Sequence, residues 1–427
     1  MPNRRQTKLL ADLPTLPVMR DFLSRTLPGN SPGIRRVRDQ VIEFSASPIA
    51  RNVLLRGPIG VGKSTLARII GLMKRIAPLS AGEARQLLDS IRFDGPNQID
   101  LRSIVTWYVE LPLTGLVESL AEAQLFGTDK GAFTGAISSA GIFERASTGA
   151  MAKGSEPAAA KLTGGIVFLD EIGELSAKLQ AKLLPILSGG VYYRLGTEGK
   201  PDADLQFRGV TITASWRRLN DGLVRPDLLS RIAGYTIDVP GIDDRKEDFD
   251  SLLQGVQEAL IKLVQVEIDR MRVVETRIDR EYWLGRYDAL KMLDHATRQR
   301  LARVEWNRHG NLRGLAVAVE QILVGGRDLE QVVAELPELG GEADQEPASN
   351  SDLIAGLMAR TSTGDGLAAH VRAVELDQRR ELRQNVLANP TALARMAAAL
   401  GIDEVRLKVQ LRQLDRERRA DRRGNRP

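Results

Sequence analysis

A glycine-rich segment near the start of the chain has the residue types and spacing of a phosphate-binding loop. Residues 57–64, GPIGVGKS, fit the pattern G-x-x-x-x-G-K-[ST]. Its glycines let backbone N–H groups turn towards phosphate oxygens, the Lys63 ammonium neutralises β- and γ-phosphates, and the Ser64 hydroxyl binds Mg²⁺. We therefore predict that the chain binds ATP with Mg²⁺. The predicted nucleotide-binding residues of this segment are Gly57, Gly60, Gly62, Lys63, Ser64 and Thr65.

Two adjacent carboxylates, Asp170 and Glu171, follow an apolar stretch about a hundred residues further on. Asp170 would join Ser64 in holding the Mg²⁺ shell, and Glu171 would orient or deprotonate the attacking water. An Asp-Glu pair after an apolar strand is a weak signal alone, because such pairs often only begin a turn. After a phosphate loop, the pair favours nucleotide hydrolysis.

Strands of a parallel sheet must bring these groups together. Residues 52–56, NVLLR, and residues 165–169, GIVFL, have the composition of short buried strands, and a helix is predicted from Thr65 to about Met73. The carboxyl ends of parallel strands share one edge of the sheet, so the loop and both carboxylates should meet there. This context disfavours the alternative that residues 57–64 are a chance Gly-rich turn.

A hexapeptide framed by glycines, GAFTGA at residues 131–136, lies between the loop and the carboxylates. Paired glycines permit a hinged, extensible tip. Phe133 and Thr134 then offer an apolar and a hydroxyl contact to a partner. The alternative is a buried apolar turn.

Together with LFG at residues 125–127 and VFLDEIGEL at residues 167–175, this hexapeptide resembles the sigma-54-dependent transcriptional activators, or bacterial enhancer-binding proteins. The resemblance covers roughly residues 29–326. It implies an α/β fold, an AAA+ P-loop NTPase module with a parallel sheet and a helical lid, followed by a small all-α DNA-binding domain. It also implies that Phe133 and Thr134 touch sigma-54 when the loop rises during the ATP cycle and closed promoter complexes are opened.

The resemblance assigns roles to three arginines and a serine. The segment VRPDLLSRI at residues 224–232 is similar to the one that carries the family's arginine fingers, so Arg225 and Arg231 would reach a neighbouring subunit's ATP site. The alternative is two solvent-facing arginines. The segment WNRHGNLR at residues 306–313 is similar to part of the lid, which makes Arg313 the sensor arginine, or else a helix-surface arginine. Ser215 stands at the first sensor position, where most relatives have Asn.

Several features depart from the family. The strand-end Asn that holds the catalytic glutamate should fall near Pro112, and Glu110 is a possible substitute. Residues 147–162 form an extra small-residue stretch, predicted to be a flexible surface loop. The lid looks enlarged between residues 265 and 304. This enlargement, with the form LLSRI, is nearest to regulators of RNA-repair operons.

Positive charge is concentrated at the C-terminal end. Residues 372–427 hold 14 Arg and Lys against 8 Asp and Glu, a net charge of +6, whereas the whole chain carries +5. Residues 391–414 read as helix, tight turn, helix, and resemble the Fis-type helix-turn-helix that ends these activators. This module would bind double-stranded DNA; the alternative is a solvated charged helical tail. The predicted DNA-binding residues are Arg406, Lys408, Gln410 and Arg412.

Composition narrows the class of protein. The chain has 427 residues, enough for two or three domains, and 43% hydrophobic residues. Without Cys there are no disulfides or thiolate metal sites, and the three His form no ligand pattern. No run reaches membrane-spanning length and no signal core is present, which favours the cytoplasm.

The sequence predicts five regions: a short N-terminal segment (1–28), an AAA+ α/β subdomain (29–245), an enlarged helical lid (246–340), a linker (341–370) and the helix-turn-helix domain with a basic tail (371–427). About 28 residues are too few for a receiver domain, so regulation would come from a protein in trans, the lid insertion or expression level, unless the chain is a fragment.

The predicted function is an ATPase that forms a homo-oligomer, a hexameric ring, and remodels sigma-54 RNA polymerase holoenzyme. Ring formation follows from arginine fingers that act only across a subunit boundary. The alternative is a repurposed AAA+ regulator or remodeller acting on another protein target. A non-hydrolysing DNA-binding repressor is disfavoured by Asp170 and Glu171.

Overall fold

The computed structural model describes residues 13–89, 108–132, 138–151, 165–197, 205–216, 219, 223–271, 293–323 and 326–338. The chain divides into two compact units, residues 1–341 and 342–427, and all of these residues belong to the first unit. Among them, none of the helices is long and apolar enough to cross a membrane.

A five-stranded parallel sheet forms the centre of the first unit. Its strand order is β2-β5-β8-β1-β9, so the strands that carry the predicted chemistry lie in the middle. The strands are β1 (Asn52–Arg56), β2 (Tyr108–Pro112), β5 (Ile166–Asp170), β8 (Val210–Ser215) and β9 (Thr236–Asp238). Two short antiparallel pairs lie outside it: β3 (Gly127–Thr128) with β4 (Ser139–Ala140), and β6 (Val191–Tyr192) with β7 (Leu205–Gln206).

Helices cover both faces of the sheet, because successive strand residues point to opposite sides. Val53 and Leu55 of β1 pack in one apolar cluster, while Leu54 between them packs in the other. The first cluster includes residues of α1 (Leu16–Thr26), α2 (Pro32–Ala46), α3 (Lys63–Ile76) and α4 (Ala81–Asp89). The second includes residues of α5 (Glu118–Phe126), α6 (Ile142–Met151), α7 (Ala177–Leu187) and α8 (Pro226–Ile232).

Helix α1 is part of the α/β core. Val18, Met19, Phe22 and Leu23 pack in the first cluster. The region predicted as a separate N-terminal segment therefore contributes core side chains over its described residues. The segment after α1 is fixed by Arg38, whose Nε donates to the Leu27 carbonyl at 3.0 Å.

The lid is helical, as predicted. A 3₁₀ turn at Asp243–Asp248 leads into α9 (Phe249–Met271), which is followed by α10 (His295–Leu301), α11 (Asn311–Leu323) and α12 (Leu329–Glu335). The four helices share a third apolar cluster that includes fully buried Trp306. Of the predicted enlargement, residues 272–292 lie outside the described residues.

The predicted α/β fold class with a parallel sheet and helical lid is confirmed. The strand predicted at residues 52–56 matches β1, and β5 is shifted by one residue from the strand predicted at 165–169. Helix α3 is about one turn longer than predicted. One prediction is partly wrong: α6 continues to Met151, so the first residues of the surface loop predicted at 147–162 are helical.

Candidate nucleotide site

The phosphate loop connects β1 to α3, and its glycines have conformations that other residues rarely adopt. Gly60 and Gly62 have φ angles of 76° and 95°. A Cβ on Gly57 would lie 2.5 Å from the Val239 carbonyl oxygen. Only glycine adopts such positive φ angles and allows such a close backbone approach without strain. Lys63 begins α3, and its Nζ donates to the carbonyls of Gly57 at 3.0 Å and Pro58 at 3.1 Å.

The structure brings the predicted catalytic carboxylates to this loop. Because β5 lies near β1 in the sheet, Asp170 emerges at the same edge, and its Oδ2 accepts a hydrogen bond from Ser64 Oγ at 3.3 Å. Lys63 Nζ lies 3.8 Å from Glu171 Oε1. Asp170 Oδ1 is buried and has no hydrogen-bond partner among the described residues, and burial raises the pKa of Asp170. A hydroxyl beside a carboxylate oxygen with unused capacity is a donor set that suits Mg²⁺ and its bound water.

Glu171 has the environment of a general base. Its Oε2 accepts from the Trp216 backbone N–H at 3.2 Å. Burial raises the pKa of Glu171 to about 7, with Lys63 opposing the shift and Asp170 adding to it. A carboxylate that titrates near neutrality can both accept and release a proton. Its backbone is left-handed, with φ and ψ both 58°, although it is not a glycine.

Of the two predicted sensors, Ser215 lies at this edge of the sheet and Arg313 lies in the lid. Ser215 ends β8 beside Arg56, and it is buried. Arg313 lies in the first turn of α11 and is exposed. Burial is the main cause that lowers the pKa of Lys63, and the charge of Arg313 lowers it further, which places this arginine within electrostatic reach of the phosphate loop.

Asn311 joins the lid to the phosphate loop, a role that the sequence analysis missed. Its Nδ2 donates to the Ile59 carbonyl at 3.0 Å, and its Oδ1 accepts from the Ile242 N–H at 2.9 Å. The side chain is fully buried, and its φ is 54°, a conformation that Asn tolerates better than most residues. A Cβ on Gly60 would lie 2.0 Å from the Gly310 carbonyl oxygen, so the two backbones are in close contact.

A small cavity of about 70 Å³, partly open to solvent, extends from the phosphate loop between the α1–α2 connection and the lid. Its lining includes Thr65, a predicted nucleotide-binding residue, and Arg245. Burial lowers the pKa of Arg245, and its Nε has no hydrogen-bond partner among the described residues. Mostly apolar walls with a few polar groups are typical of small-molecule sites. Arg245 was missed because one arginine in a charged segment gives no signal in the sequence.

Arg225 and Arg231 lie on the surface. Arg225 precedes α8 and forms two hydrogen bonds with Asp227, at 3.1 and 2.8 Å. Arg231 lies in the last turn of α8 and is exposed. Exposure is what an arginine needs if it is to reach a neighbouring subunit, and it equally fits the alternative of two solvent-facing arginines.

Glu110 does not replace the missing strand-end Asn. It forms a two-pronged ion pair with Arg68 of α3, at 3.1 and 2.7 Å, whereas the described hydrogen bond of the Glu171 side chain comes from the Trp216 N–H. Pro112 pairs in register with Asp170. The interpretation of Glu110 as a substitute is therefore wrong for this arrangement, because its carboxylate is occupied by a guanidinium on another element.

Phe133 and Thr134 lie outside the described residues, as do Arg406, Lys408, Gln410 and Arg412. The stem of the GAFTGA hexapeptide is described. β3 and β4 flank it as an antiparallel pair, and the Leu195 N–H donates to the Gly127 carbonyl at 3.0 Å while the Asp129 N–H donates to the Leu195 carbonyl at 3.0 Å. The hexapeptide is thus carried on a hairpin braced by the segment after β6.

The sigma-54 interaction domain family matches residues 103–238, a span that includes the hexapeptide, both carboxylates and both candidate finger arginines. Over these residues the chain is similar to the sigma-54-dependent transcriptional activators. It is 28% identical over 369 residues to the anaerobic nitric oxide reductase transcription regulator NorR of Enterobacter sp. (strain 638), covering 86% of this chain and 63% of that protein.

The chain is also similar to other proteins. The transcriptional regulatory protein RtcR of Escherichia coli (strain K12) is 32% identical over 231 residues, covering 54% of this chain and 36% of that protein. Among solved structures, NtrX from Brucella abortus in complex with ATP aligns with 94% of this chain and 73% of that chain, at 19% identity and a TM-score of 0.47. The chain thus spans less than two thirds of these curated relatives. A particular closeness to regulators of RNA-repair operons stays a prediction.

Proposed function

We propose that this chain is an ATP-hydrolysing transcriptional activator that binds upstream DNA and remodels sigma-54 RNA polymerase holoenzyme to open promoters. One observation carries the proposal. In a chain whose residues 103–238 match the sigma-54 interaction domain family, Lys63, Asp170 and Glu171 lie together at one edge of the sheet, with Lys63 Nζ 3.8 Å from Glu171 Oε1. Such a cluster suits hydrolysis of a bound nucleoside triphosphate.

In hydrolysis, Lys63 neutralises charge on the β- and γ-phosphates, and Glu171 accepts the proton of the attacking water. Ser64 and Asp170 would hold Mg²⁺, which supplies charge neutralisation at the phosphates. Ser215 and Arg313 would sense the γ-phosphate from the sheet and the lid. Thr65 and the glycines of the loop would complete the nucleotide contacts.

The exposed arginines favour an assembly of several copies. Arg225 and Arg231 would stabilise charge that develops on the γ-phosphate bound by the next subunit. Two neighbouring copies would contact each other through different surfaces. Every ATP site therefore receives an arginine from a neighbour only when the ring is closed. The family resemblance favours a hexamer. A regulatory protein acting in trans stays a prediction.

A second candidate function is remodelling of a protein other than sigma-54. The observation that favours it is Pro112 opposite Asp170, with Glu110 bound to Arg68. Without the strand-end amide, Glu171 would be controlled by different contacts from those that the family resemblance implies. Such a difference would suit a repurposed ATPase.

The deciding experiment traps sigma-54 on the protein with an ATP transition-state analogue. We expect the wild-type protein to retain sigma-54 and Thr134→Ala to lose it, while ATP hydrolysis and DNA binding persist in the variant. Thr134→Ser is the matched control, because it keeps the hydroxyl and should retain binding. Lys63→Ala, which loses nucleotide binding, should trap nothing. If the wild-type protein traps no sigma-54, or Thr134→Ala traps as much, the second candidate function replaces the first.

A further inference from the structure

Gln180 of α7 is a buried amide whose side chain bonds to three backbone groups. Its Nε2 donates to the carbonyls of Leu175 and Leu223, both at 2.8 Å. Its Oε1 accepts from the Arg225 N–H, also at 2.8 Å. The side chain is only 2% exposed, so these bonds are shielded from water. Burial of an amide costs free energy unless its polar atoms are paired, and here both are.

The three bonds join two segments with different predicted roles. Leu175 follows the 3₁₀ turn that begins directly after Glu171. Leu223 and Arg225 flank buried Val224 at the start of the segment that carries the candidate finger arginines. One side chain therefore ties the strand end with the general base to the backbone from which Arg225 projects.

The chemistry of an amide explains why the residue is glutamine. Bonding two carbonyls and one N–H from a single side-chain end requires two donors and an acceptor on adjacent atoms, which Gln and Asn alone supply. Lys, Glu and Met of similar length each lack one part of this set. Arg225 directly precedes Pro226, the first residue of α8, so the hydrogen bond from the Arg225 N–H to Gln180 also fixes the start of that helix.

We infer that Gln180 is a positioning residue for Arg225, holding its backbone where the guanidinium reaches the ATP site of the next subunit. The inference rests on the proposed role of Arg225 as an arginine finger. A subunit that lacks the Gln180 amide keeps its own Lys63, Asp170 and Glu171, but it misplaces the arginine that it offers to its neighbour. Because a shift of about 1 Å can lower a rate by roughly a hundredfold, Gln180→Met should hydrolyse ATP roughly tenfold to a hundredfold more slowly.

Mixing experiments separate this role from general damage. Glu171→Gln subunits offer an intact Arg225 but cannot hydrolyse ATP, whereas Gln180→Met subunits have an intact site but a misplaced arginine. Mixed assemblies should therefore hydrolyse ATP several times faster than the two proteins assayed separately. A mixture of Arg225→Ala and Glu171→Gln subunits should recover ATPase activity in the same way. A mixture of Gln180→Met with Arg225→Ala should not recover, because neither protein offers a working arginine.

One further variant guards against a folding artefact. Asn52→Ala removes a comparable side-chain bond to α7, from Asn52 Nδ2 to the Leu187 carbonyl at 3.1 Å, and should keep ATPase activity near wild type. ATP binding by Gln180→Met should match wild type.

The outcomes distinguish the two levels of the inference. If Arg225→Ala recovers with Glu171→Gln but Gln180→Met does not, or if Gln180→Met alone has wild-type activity, the positioning role is wrong and the proposed role of Arg225 stands. If Arg225→Ala does not recover with Glu171→Gln, the finger role of Arg225 fails, and the role of Gln180 fails with it.

Discussion

Under the proposed function, the protonation state of Glu171 determines when the site is able to hydrolyse ATP. Burial raises its pKa to about 7, so a large fraction of the carboxyl is protonated just below neutral pH. A protonated carboxyl cannot take a proton from water. The direction of this pKa shift is opposite to that of a salt-bridged carboxylate, because burial favours the neutral form.

We expect kcat/KM for ATP hydrolysis to fall as pH decreases through about 7, with a slope of one proton, since this quantity reports the free enzyme. Glu171→Gln should be nearly inactive at every pH. Steady-state rates between pH 5.5 and 8.5 provide the measurement, with ATP binding followed in parallel. A profile that is flat down to pH 5.5 would exclude Glu171 as the titrating base.

The stability of the protein should show the same titration. A group whose folded pKa is raised stabilises the fold at low pH and loses that contribution as pH rises through the folded value. Glu171→Gln should therefore gain in Tm relative to wild type as pH rises from 5.5 to 8.5. Thermal unfolding at the two pH values tests this sign.

Residues in local motifs were predictable, and residues that act through distant contacts were not. Lys63, Ser64, Asp170 and Glu171 follow from short patterns next to apolar strands, because the chemistry dictates both residue type and spacing. Asn311 binds the Ile59 carbonyl 252 positions away, and Gln180 binds the Leu223 carbonyl 43 positions away. A hydrogen bond to a distant carbonyl requires nothing particular of the sequence around that carbonyl, so no pattern marks it.

Between elements, the contact of the lid with the phosphate loop depends on Asn311. Asn311→Ala removes both of its hydrogen bonds and places a less suitable residue at a positive φ. We expect a loss of about 2 to 4 kcal/mol in the free energy of unfolding, together with weaker ATP binding. Chemical denaturation and ATP titration are the measurements.

Asn311→Gly separates the two causes. Glycine adopts the positive φ but lacks the side-chain amide. Asn311→Gly therefore recovers only the part of the free energy of unfolding that depends on the backbone conformation. If Asn311→Gly binds ATP as the wild type does, the side-chain bond to the Ile59 carbonyl has no part in shaping the loop.

The central strands were predictable as elements, whereas the extent of α6 was not. The strands β1 and β5 are runs of apolar residues buried on both faces, a pattern that composition alone reveals. The run of small residues in α6 gave no comparable signal, because Ala, Ser, Thr and Gly at residues 146–150 suit a loop as well as a helix. Packing against β2 and β5, rather than helix propensity, decides such segments.

At the level of the whole molecule, positive charge and nucleotide chemistry fall in different compact units. The candidate site lies within residues 1–341, and the basic C-terminal segment lies within residues 342–427. Arg406→Ala with Arg412→Ala should weaken DNA binding and leave ATP hydrolysis without DNA near wild type. A residue that reads a base should cost about 1 to 3 kcal/mol and relax site preference.

Electrophoretic mobility shifts at fixed salt measure this effect. Arg25→Ala is the matched control, because it removes an arginine from the first unit, where Arg25 pairs with Asp21 at 2.7 Å on an exposed surface. Unchanged affinity in the double variant would remove the helix-turn-helix assignment. The assignment rests on charge, periodicity and the family resemblance and stays a prediction. The operator sequence cannot be predicted in the same way, because base recognition depends on side-chain geometry.

The left-handed backbone conformation of Glu171 lowers stability, whereas its carboxylate serves the proposed activity. A residue with a Cβ in that conformation costs about 1 kcal/mol or more, which glycine would avoid. Selection for thermal tolerance alone would thus favour Gly at position 171, while selection for turnover retains Glu. Laboratory evolution that selects only for thermal tolerance should therefore accumulate the inactivating change Glu171→Gly. A variant that is both thermostable and active must gain its stability at other positions.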